Sequence, residues 1–305
     1  MRYHLDEGGH PRGCGKGQLV RTVGEWQRHI TAMLTDAGCD SPAFEVVCLL
    51  EDIGGVPRGK VPSWQERELS PLQQEAVAHA AAERAAGRPL QYILGEWEFL
   101  DLTLKVGEGV LIPRPDTEVL CETAAKKLRA AFPDEPTLSV LDLCAGTGCV
   151  GLGVASLCES AVPTCVELSK DAWPYLTENM ARYARFHGRA VQADVLCEPP
   201  FAERFHALVS NPPYIPTADI AGLMREVQHE PRMALDGSAD GLCFYRAIAE
   251  RWLSCLLPGG ICAVEVGIGQ AEEVAALFVA AGLEQVEMIP DLAGVLRVVA
   301  GNKPR

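Results

Sequence analysis

The 305-residue sequence has no long apolar run and no closely paired cysteines. No stretch approaches the roughly 18–20 apolar residues that span a bilayer, and the first residues, Met1 to Gly9, contain no apolar signal region. We therefore expect a cytoplasmic protein that does not enter a membrane. The 12 cysteines are scattered, mostly within apolar segments, and none form a CxxC pair. This pattern favours reduced, buried thiols over disulfides or a zinc site.

Recognisable metal and nucleophile motifs are absent as well. His187, His206 and His229 have no ligand spacing between them. The sequence contains neither a GxSxG nucleophile elbow nor a P-loop. We therefore predict no metal site.

Positive charge is scarce in the C-terminal part of the chain. Residues 1–90 contain 10 Lys and Arg against 12 Asp and Glu, whereas residues 91–305 contain 17 against 29. The net charge of −14 is therefore concentrated in residues 91–305, which carry −12 of it. Nucleic-acid binding depends on Lys and Arg contacts with phosphates. The balance argues against a DNA or RNA substrate.

Composition and periodicity divide the chain into four segments. Residues 1–18 are polar and Gly-rich and are predicted to be a disordered extension. Residues 19–88 contain helix signals only, with Thr22 and the Ser41-Pro42 and Ser70-Pro71 pairs at predicted helix starts. We interpret this segment as a small helical domain. Residues 89–108 alternate apolar and polar side chains and predict a β-hairpin linker, and residues 109–305 form a second, larger domain.

Residues 109–305 alternate between strand and helix patterns. Asp116 is expected to cap a helix over residues 117–132. The predicted strands are 138–143, 163–168, 190–195, 205–210, 260–266, 285–289 and 295–300. The predicted helices that follow are 148–158, 170–186, 241–257 and 270–281. Alternation of this kind is typical of an α/β protein with a parallel, doubly wound sheet, and the final strand pair without a helix indicates an antiparallel edge.

The tetrapeptide Asn211-Pro212-Pro213-Tyr214 follows an apolar strand, residues 205–210. Two prolines fix two φ angles and remove two backbone donors, so the loop is stiff and presents free carbonyls. The Asn211 side-chain oxygen and the Pro212 carbonyl can each accept an N–H from a planar amino group. Ligands bind at this edge of open α/β sheets. The alternative interpretation is an ordinary Asn-Pro turn.

Three other predicted strand ends carry groups suited to an adenosine ligand. Gly146 and Gly148 follow the first strand and allow close approach of a ligand to the backbone, although a tight connection alone would also explain them. Glu167 can accept both hydroxyls of a ribose, or it can be an acid at a helix N-terminus near Ser169. Asp194 can receive an adenine amino proton or cap a loop.

These stretches closely resemble the protein-glutamine N-methyltransferases of the HemK/PrmC type, which modify peptide-chain release factors. The Asn-Pro-Pro-Tyr element is also found in enzymes that methylate amino groups of DNA adenine and ribosomal RNA, whereas two other stretches are far more specific to this family. The matching stretches, which span roughly residues 40–300, are Pro89 to Glu96, Leu111 to Glu118, Asp142 to Gly148, Val209 to Ile215, Glu230 to Gly237 and Asp240 to Leu242.

The resemblance implies a class I methyltransferase domain of the Rossmann-like type over residues 109–305, with a seven-stranded, mostly parallel sheet. It also implies that the small N-terminal helical domain, residues 19–88, recognises the substrate. It implies S-adenosylmethionine as methyl donor, S-adenosylhomocysteine as product, and the glutamine of a release factor's Gly-Gly-Gln loop as acceptor. We expect a monomer. The implied cofactor-binding residues are Cys144, Ala145, Gly146, Thr147, Gly148, Glu167, Asp194, Val195 and Asn211. The implied substrate-binding residues are Asn211, Pro212, Pro213 and Tyr214, of which Asn211, Pro212 and Tyr214 are the expected catalytic residues.

The sequence departs from the family pattern at three positions. The cofactor turn begins with Cys144-Ala145 where the family usually has Gly, so we expect the turn to avoid a left-handed backbone there. Glu167 replaces the usual Asp, and we expect its strand end to lie slightly further back. Ser238 replaces a Gly. None of these departures removes a catalytic group.

Two other functions are compatible with parts of this pattern. A nucleic-acid amino-methyltransferase would bind the amino group of adenine or guanine with the same Asn-Pro-Pro-Tyr loop. The acidic charge and the N-terminal helical domain disfavour this function. A non-catalytic binding module would show a broken loop or cofactor turn, and both are intact.

Overall fold

The computed structural model describes residues 22–305, and the predicted extension over residues 1–18 lies outside them. The chain divides between Ala86 and Gly87 into two compact units. Within residues 22–305, none of the helices combines the length and apolar character needed to cross a bilayer. The cysteines of these residues are free, and those in the sheet, Cys165 and Cys262, are buried.

The N-terminal unit is helical. Its helices are α1 (Val23–Asp36), α2 (Pro42–Cys48), extended by a π-helical segment (Leu49–Ile53), a 3-10 turn (Val61–Ser63) and α3 (Pro71–Ala85). Thr22 and Ser70 cap α1 and α3 in reciprocal capping boxes with Glu25 and Gln73, as expected when Ser or Thr precedes an acid or amide by three residues.

The C-terminal unit contains the remaining elements. Its helices are α4 (Leu90–Leu94), α5 (Glu118–Ala131), α6 (Cys149–Leu157), α7 (Trp173–Arg182), α8 (Cys243–Glu250) and α9 (Ala271–Ala280). Its strands are β1 (Glu96–Phe99), β2 (Leu102–Lys105), β3 (Leu138–Leu143), β4 (Ala161–Glu167), β5 (Arg189–Gln192), β6 (Phe205–Ser210), β7 (Leu256–Glu265), β8 (Glu284–Pro290) and β9 (Leu296–Asn302). Short 3-10 turns occupy Pro115–Thr117, Ala184–Phe186, Ile220–Gly222, Val227–His229, Arg232–Ala234 and Trp252–Cys255.

The large sheet has seven strands in the order β5-β4-β3-β6-β7-β9-β8. The pairs from β5 to β7 are parallel, and β9 is antiparallel to both of its neighbours. This confirms the predicted fold class, a mostly parallel sheet with an antiparallel edge. The reversal of order between β4-β3 and β6-β7 places the carboxyl ends of β3 and β6 side by side, where ligands bind in such sheets.

Alternating side chains of the central strands build a core on each face of the sheet. Val140 and Val209 belong to a cluster with α5 and α6, whereas Leu141 and Leu208 belong to a cluster with α8 and α9. Successive strand residues point to opposite faces, so apolar residues at consecutive positions are expected in a strand covered on both sides. The two buried layers hold the strand ends, and hence the site, in fixed register.

Two local predictions are wrong. The hairpin predicted over residues 89–108 is confined to β1 and β2, because residues 90–94 form α4, which ends at the left-handed Gly95. Asp116 does not cap α5; it lies in the preceding 3-10 turn, and its carboxylate pairs with the Arg297 guanidinium at 3.0 Å. The end of a helix accounts for the first difference. An ion pair with a residue distant in sequence accounts for the second.

Candidate active site

A cavity of about 350 Å³ lies at the carboxyl ends of β3, β4 and β6. Volumes of this size accommodate small organic ligands. Every residue predicted to bind the cofactor except Gly148 lines this cavity. The structure also adds the loop of residues 109–114 and the side chain of Thr117 to its wall.

The turn after β3 has three residues in left-handed conformation. They are Cys144, Gly146 and Gly148, with φ of 57°, 54° and 82°. The expectation that a non-glycine first residue would keep the turn out of this region is wrong for Cys144. Gly148, the N-cap of α6, leaves no room for a side chain, since an added Cβ would lie 2.9 Å from Leu176. The helix α6 begins directly after this turn, at Cys149.

Glu167 is the last residue of β4 and is buried. Its Oε2 accepts a hydrogen bond from the Gly146 amide at 2.8 Å, and its Oε1 accepts one from the Ser169 amide at 2.6 Å. The carboxylate thus ties the turn after β3 to the loop after β4. Because a carboxylate offers about four acceptor positions, both oxygens can still accept from hydroxyls in the cavity.

Asp194 and Val195 follow β5 after a short gap. Asp194 Oδ1 accepts the Leu196 amide at 2.8 Å, so the side chain caps its own loop while lining the cavity. The Val195 carbonyl accepts the indole N–H of Trp252 at 2.8 Å, and the Val195 side chain is buried in the core. These contacts fix the backbone that borders the cavity.

A second cavity, of about 200 Å³, adjoins the first at the Asn-Pro-Pro-Tyr loop. Pro212 and Tyr214 line the second cavity, Pro213 lines the first, and Asn211 and Arg114 line both. The predicted substrate-binding residues are therefore brought together. Asn211 lies at the junction of the two cavities.

The Asn211 side chain is held from one end only. Its Nδ2 donates to Thr117 Oγ1 at 3.1 Å, whereas its buried Oδ1 has no hydrogen-bond partner within residues 22–305. A buried acceptor without a partner is costly unless a ligand satisfies it. Oδ1 is therefore an unsatisfied acceptor on a residue that lines both cavities.

The loop after Asn211 is anchored to the segment 231–237. The Ile215 amide donates to the Leu235 carbonyl at 2.9 Å, and the Gly237 amide donates to the Ile215 carbonyl at 2.8 Å. The Tyr214 carbonyl accepts the Gln270 side chain at 2.9 Å. These bonds join two of the matching sequence stretches into one rigid wall of the second cavity.

Four residues of the site were not predicted as functional. Thr117 accepts the Asn211 amide, Glu265 is buried at the end of β7, and Arg114 pairs with the buried Glu230. Burial raises the pKa of Glu265 to about 7, and the charge of Arg297 opposes that rise. Three of these residues lie in the stretches that resemble the family, and this position could have identified them. For Glu265, the sequence offers only its place as an acid at the end of an apolar strand.

The sheet order and the paired cavities define the class I methyltransferase fold. A methyltransferase structure from Pyrococcus furiosus shares it, with a TM-score of 0.50 and 14% identity over 75% of this chain and 100% of that one. Two family models match the chain, the PrmC N-terminal domain over residues 25–95 and the methyltransferase small domain over residues 119–235.

Individual relatives identify the family within this fold class. The release factor glutamine methyltransferase of Caulobacter vibrioides is 39% identical over 277 residues, which is 88% of this chain and 92% of the relative. That of Geobacter sulfurreducens is 39% identical over 286 residues, 93% and 96% of the two chains. The chain belongs to the release factor glutamine methyltransferase family, which confirms the resemblance found in the sequence.

Proposed function

We propose that this protein transfers a methyl group from S-adenosylmethionine to the side-chain amide nitrogen of the glutamine in the Gly-Gly-Gln loop of a peptide chain release factor. The products are N5-methylglutamine and S-adenosylhomocysteine, and the modified loop acts in translation termination. The relatives named above support the substrate. The observation that carries the site is the unpartnered, buried Oδ1 of Asn211 at the junction of two cavities.

The residues of the larger cavity fit S-adenosylmethionine. Glu167 retains free acceptor positions for two ribose hydroxyls, and the buried Thr147 hydroxyl has no partner within the described residues. Residues 144–147 of the turn line the same space, and Asp194 and Val195 border the place assigned to adenine. When bound, the cofactor supplies a methyl group on a positively charged sulfur, which the acceptor nitrogen takes as the carbon–sulfur bond breaks.

The smaller cavity holds the acceptor amide. Asn211 Oδ1 and the Pro212 carbonyl each accept one N–H of the glutamine side chain, and Tyr214 packs beside it. An amide nitrogen is a weak nucleophile because its lone pair is delocalised into the carbonyl. Two acceptors increase its electron density as charge develops and hold it on the line of attack. The nitrogen loses its proton after it gains positive charge, so no strong base is needed first.

The lining of both cavities is consistent with this chemistry. Neither contains a His or Lys side chain among the described residues. No group of three or more His, Cys, Asp or Glu side chains in residues 22–305 is arranged to hold a metal ion, and the proposed reaction uses none. Both cavities are lined by residues of the C-terminal unit alone. The proposal further includes that the protein acts as a monomer in the cytoplasm and that its N-terminal helices recognise the release factor.

Mass spectrometry of a purified release factor, incubated with the protein and S-adenosylmethionine, tests the proposal. One added methyl group on the Gly-Gly-Gln peptide is expected. Asn211→Ala should abolish the product while cofactor affinity stays largely intact. Glu122→Ala, on the exposed side of α5, is the control variant with full turnover.

Two different results would contradict the proposal, one for the role of Asn211 and one for the substrate. Turnover retained by Asn211→Ala would exclude the assigned role of Asn211. Cofactor binding without methylation of the release factor would instead redirect the substrate to another protein or to nucleic acid. A salt titration of DNA and RNA binding distinguishes the last case, because phosphate contacts make such binding strongly salt-dependent.

A further inference from the structure

Arg114 is a positively charged side chain at the junction of the two cavities. It lines both of them, as Asn211 does. Among the described residues, neither cavity is lined by a Lys or by a second Arg, whereas the larger one is lined by the acids Glu167, Asp194 and Asp236. The Arg114 guanidinium is therefore the charged group in this lining that attracts an anion.

A buried carboxylate holds the Arg114 side chain in place. Arg114 Nη2 pairs with Oε1 of Glu230, whose side chain is 1% exposed, and Glu230 Oε2 accepts the Ile112 amide at 3.0 Å. The loop before Arg114 is also held at Val110, whose carbonyl accepts the hydroxyl of the buried Tyr92 at 2.6 Å. The guanidinium is thus ordered before a ligand binds, which reduces the entropy lost on binding.

Most of the hydrogen-bonding capacity of Arg114 is unused. A guanidinium carries five N–H donors in one plane, and the pairing with Glu230 engages Nη2. Within residues 22–305, the Arg114 side chain makes no other hydrogen bond, and 37% of it is exposed. Donors of this kind bind a carboxylate through two parallel hydrogen bonds. Arg114 can therefore bind a second carboxylate while it stays paired with Glu230.

The acceptor glutamine is an unsuitable partner for this cation. A guanidinium bonded to the glutamine side-chain oxygen would draw electron density from the amide nitrogen and make it a weaker nucleophile. The methionine portion of S-adenosylmethionine, in contrast, ends in a carboxylate. This portion is bonded to the same sulfur as the methyl group, which must reach Asn211 at the cavity junction. A carboxylate that enters a cavity lined by three acids needs a cation beside it.

We propose that Arg114 binds the carboxylate of the methionine portion of S-adenosylmethionine, with Glu230 as the positioning residue that holds the guanidinium. The inference rests on the proposed function, because it takes S-adenosylmethionine as the ligand of the larger cavity. Glu167, Asp194 and Val195 account for the adenosine end of this ligand, and Arg114 accounts for its amino-acid end. Binding at both ends holds the methyl group in position for transfer.

Isothermal calorimetry of the cofactor-free, full-length protein tests the inference with two ligands. They are S-adenosylmethionine and decarboxylated S-adenosylmethionine, which differ only in the carboxylate. In Arg114→Met, the affinity for S-adenosylmethionine should fall by about 10- to 100-fold, and the affinity for the decarboxylated ligand should equal that of wild type. Arg114→Lys keeps the charge without the planar donor group and should lose less affinity.

Two further variants separate binding from folding. Because Arg114→Met leaves the buried Glu230 without its partner, it is also measured together with Glu230→Gln, which keeps an acceptor for the Ile112 amide but carries no charge. This combination should show the same selective loss. Arg182→Met is the control, since Arg182 has similar exposure, pairs with Glu96 and lines neither cavity. It should bind both ligands like wild type.

The other outcomes overturn the inference. An equal loss of both ligands in the single and combined variants would show that Arg114 only supports the cavity wall. Unchanged affinity for S-adenosylmethionine with a raised KM for the release factor would assign Arg114 to the acceptor protein. The proposed function can fail separately: selective loss in Arg114→Met, without methylation of a release factor by wild type, would support the inference and reject the proposed acceptor.

Discussion

The Glu230 carboxylate accepts a hydrogen bond from the main-chain amide of Ile112 at 3.0 Å. Its other oxygen pairs with the Arg114 guanidinium. Burial raises the pKa of Glu230, and Arg114 and the Ile112 amide oppose that rise. One buried side chain thus joins the loop over the cofactor cavity to the segment that anchors the Asn-Pro-Pro-Tyr loop.

Removing this tie should destabilise the fold and loosen the cofactor cavity. We expect Glu230→Ala to lower the free energy of unfolding by about 1–3 kcal/mol, because the buried Ile112 amide loses its acceptor. Cofactor affinity should fall as well, since residues 109–114 line the cavity. Denaturant unfolding and calorimetry measure the two effects, with Glu122→Ala as the control. Unfolding free energy equal to wild type would show that water replaces the carboxylate.

The central strands of the sheet were predictable because each is a local apolar run. The predicted β3 and β6 match the observed strands residue for residue, since both are covered on both faces. The helix α4 was missed because Leu90, Tyr92 and Leu94 happen to alternate. The Gly95 that suggested a hairpin turn is in fact a helix C-cap in left-handed conformation.

Site residues could be predicted where the residue type itself suits the chemistry. Contacts between residues distant in sequence could not be predicted. Asn211 and Glu167 could be found from their positions at strand ends. The hydrogen bond of Asn211 with Thr117 and the ion pair of Asp116 with Arg297 join segments that no local pattern connects. Backbone strain at Cys144 was likewise hidden, because its neighbours rather than its own side chain impose that conformation.

Substitutions at Cys144 should separate backbone strain from side-chain size. At a φ of 57°, a β-branched residue is strongly disfavoured, whereas Gly is accommodated. We expect Cys144→Val to weaken cofactor affinity by about tenfold or more and Cys144→Gly to bind like wild type. Cys262→Val, which makes the same replacement in the extended strand β7, is the control. Wild-type affinity in Cys144→Val would mean that the turn relaxes without affecting the site.

Glu167 should tolerate no amide replacement. Both of its oxygens accept main-chain N–H groups, one from Gly146 and one from Ser169. In a glutamine, the NH2 group would face one of these donors and could not accept its hydrogen bond. We expect Glu167→Gln to raise the Kd for S-adenosylmethionine by about tenfold or more. Glu167→Asp keeps two acceptors on a shorter side chain and should bind with intermediate affinity. Isothermal calorimetry measures both, and an unchanged Kd for the glutamine variant would contradict the prediction.

Asp142 should make stability depend on pH. It is fully buried at the end of β3; its Oδ2 accepts the Gly151 amide at 2.8 Å, and its Oδ1 has no partner within the described residues. Burial raises its pKa to about 7, with Glu167 adding to the rise and the Gly151 amide and Cys165 opposing it. The carboxyl of the unfolded chain has a pKa of about 3.9.

The sign of the effect follows from these two values. Because the folded state holds the proton more tightly, the stabilisation from Asp142 is complete below about pH 4 and is lost as the pH rises through about 7. Asp142→Asn keeps an acceptor for Gly151 and cannot ionise. The variant should therefore gain about 1–4 kcal/mol in unfolding free energy over wild type between pH 5 and pH 8.

Denaturant titrations of cofactor-free protein at several pH values measure this gain. Glu265 titrates in the same range but is common to both proteins, so the difference between them isolates Asp142. A difference that does not change with pH would mean that Asp142 stays ionised in the folded protein. The buried carboxylate would then have to be stabilised by groups other than the single amide and thiol that contact it.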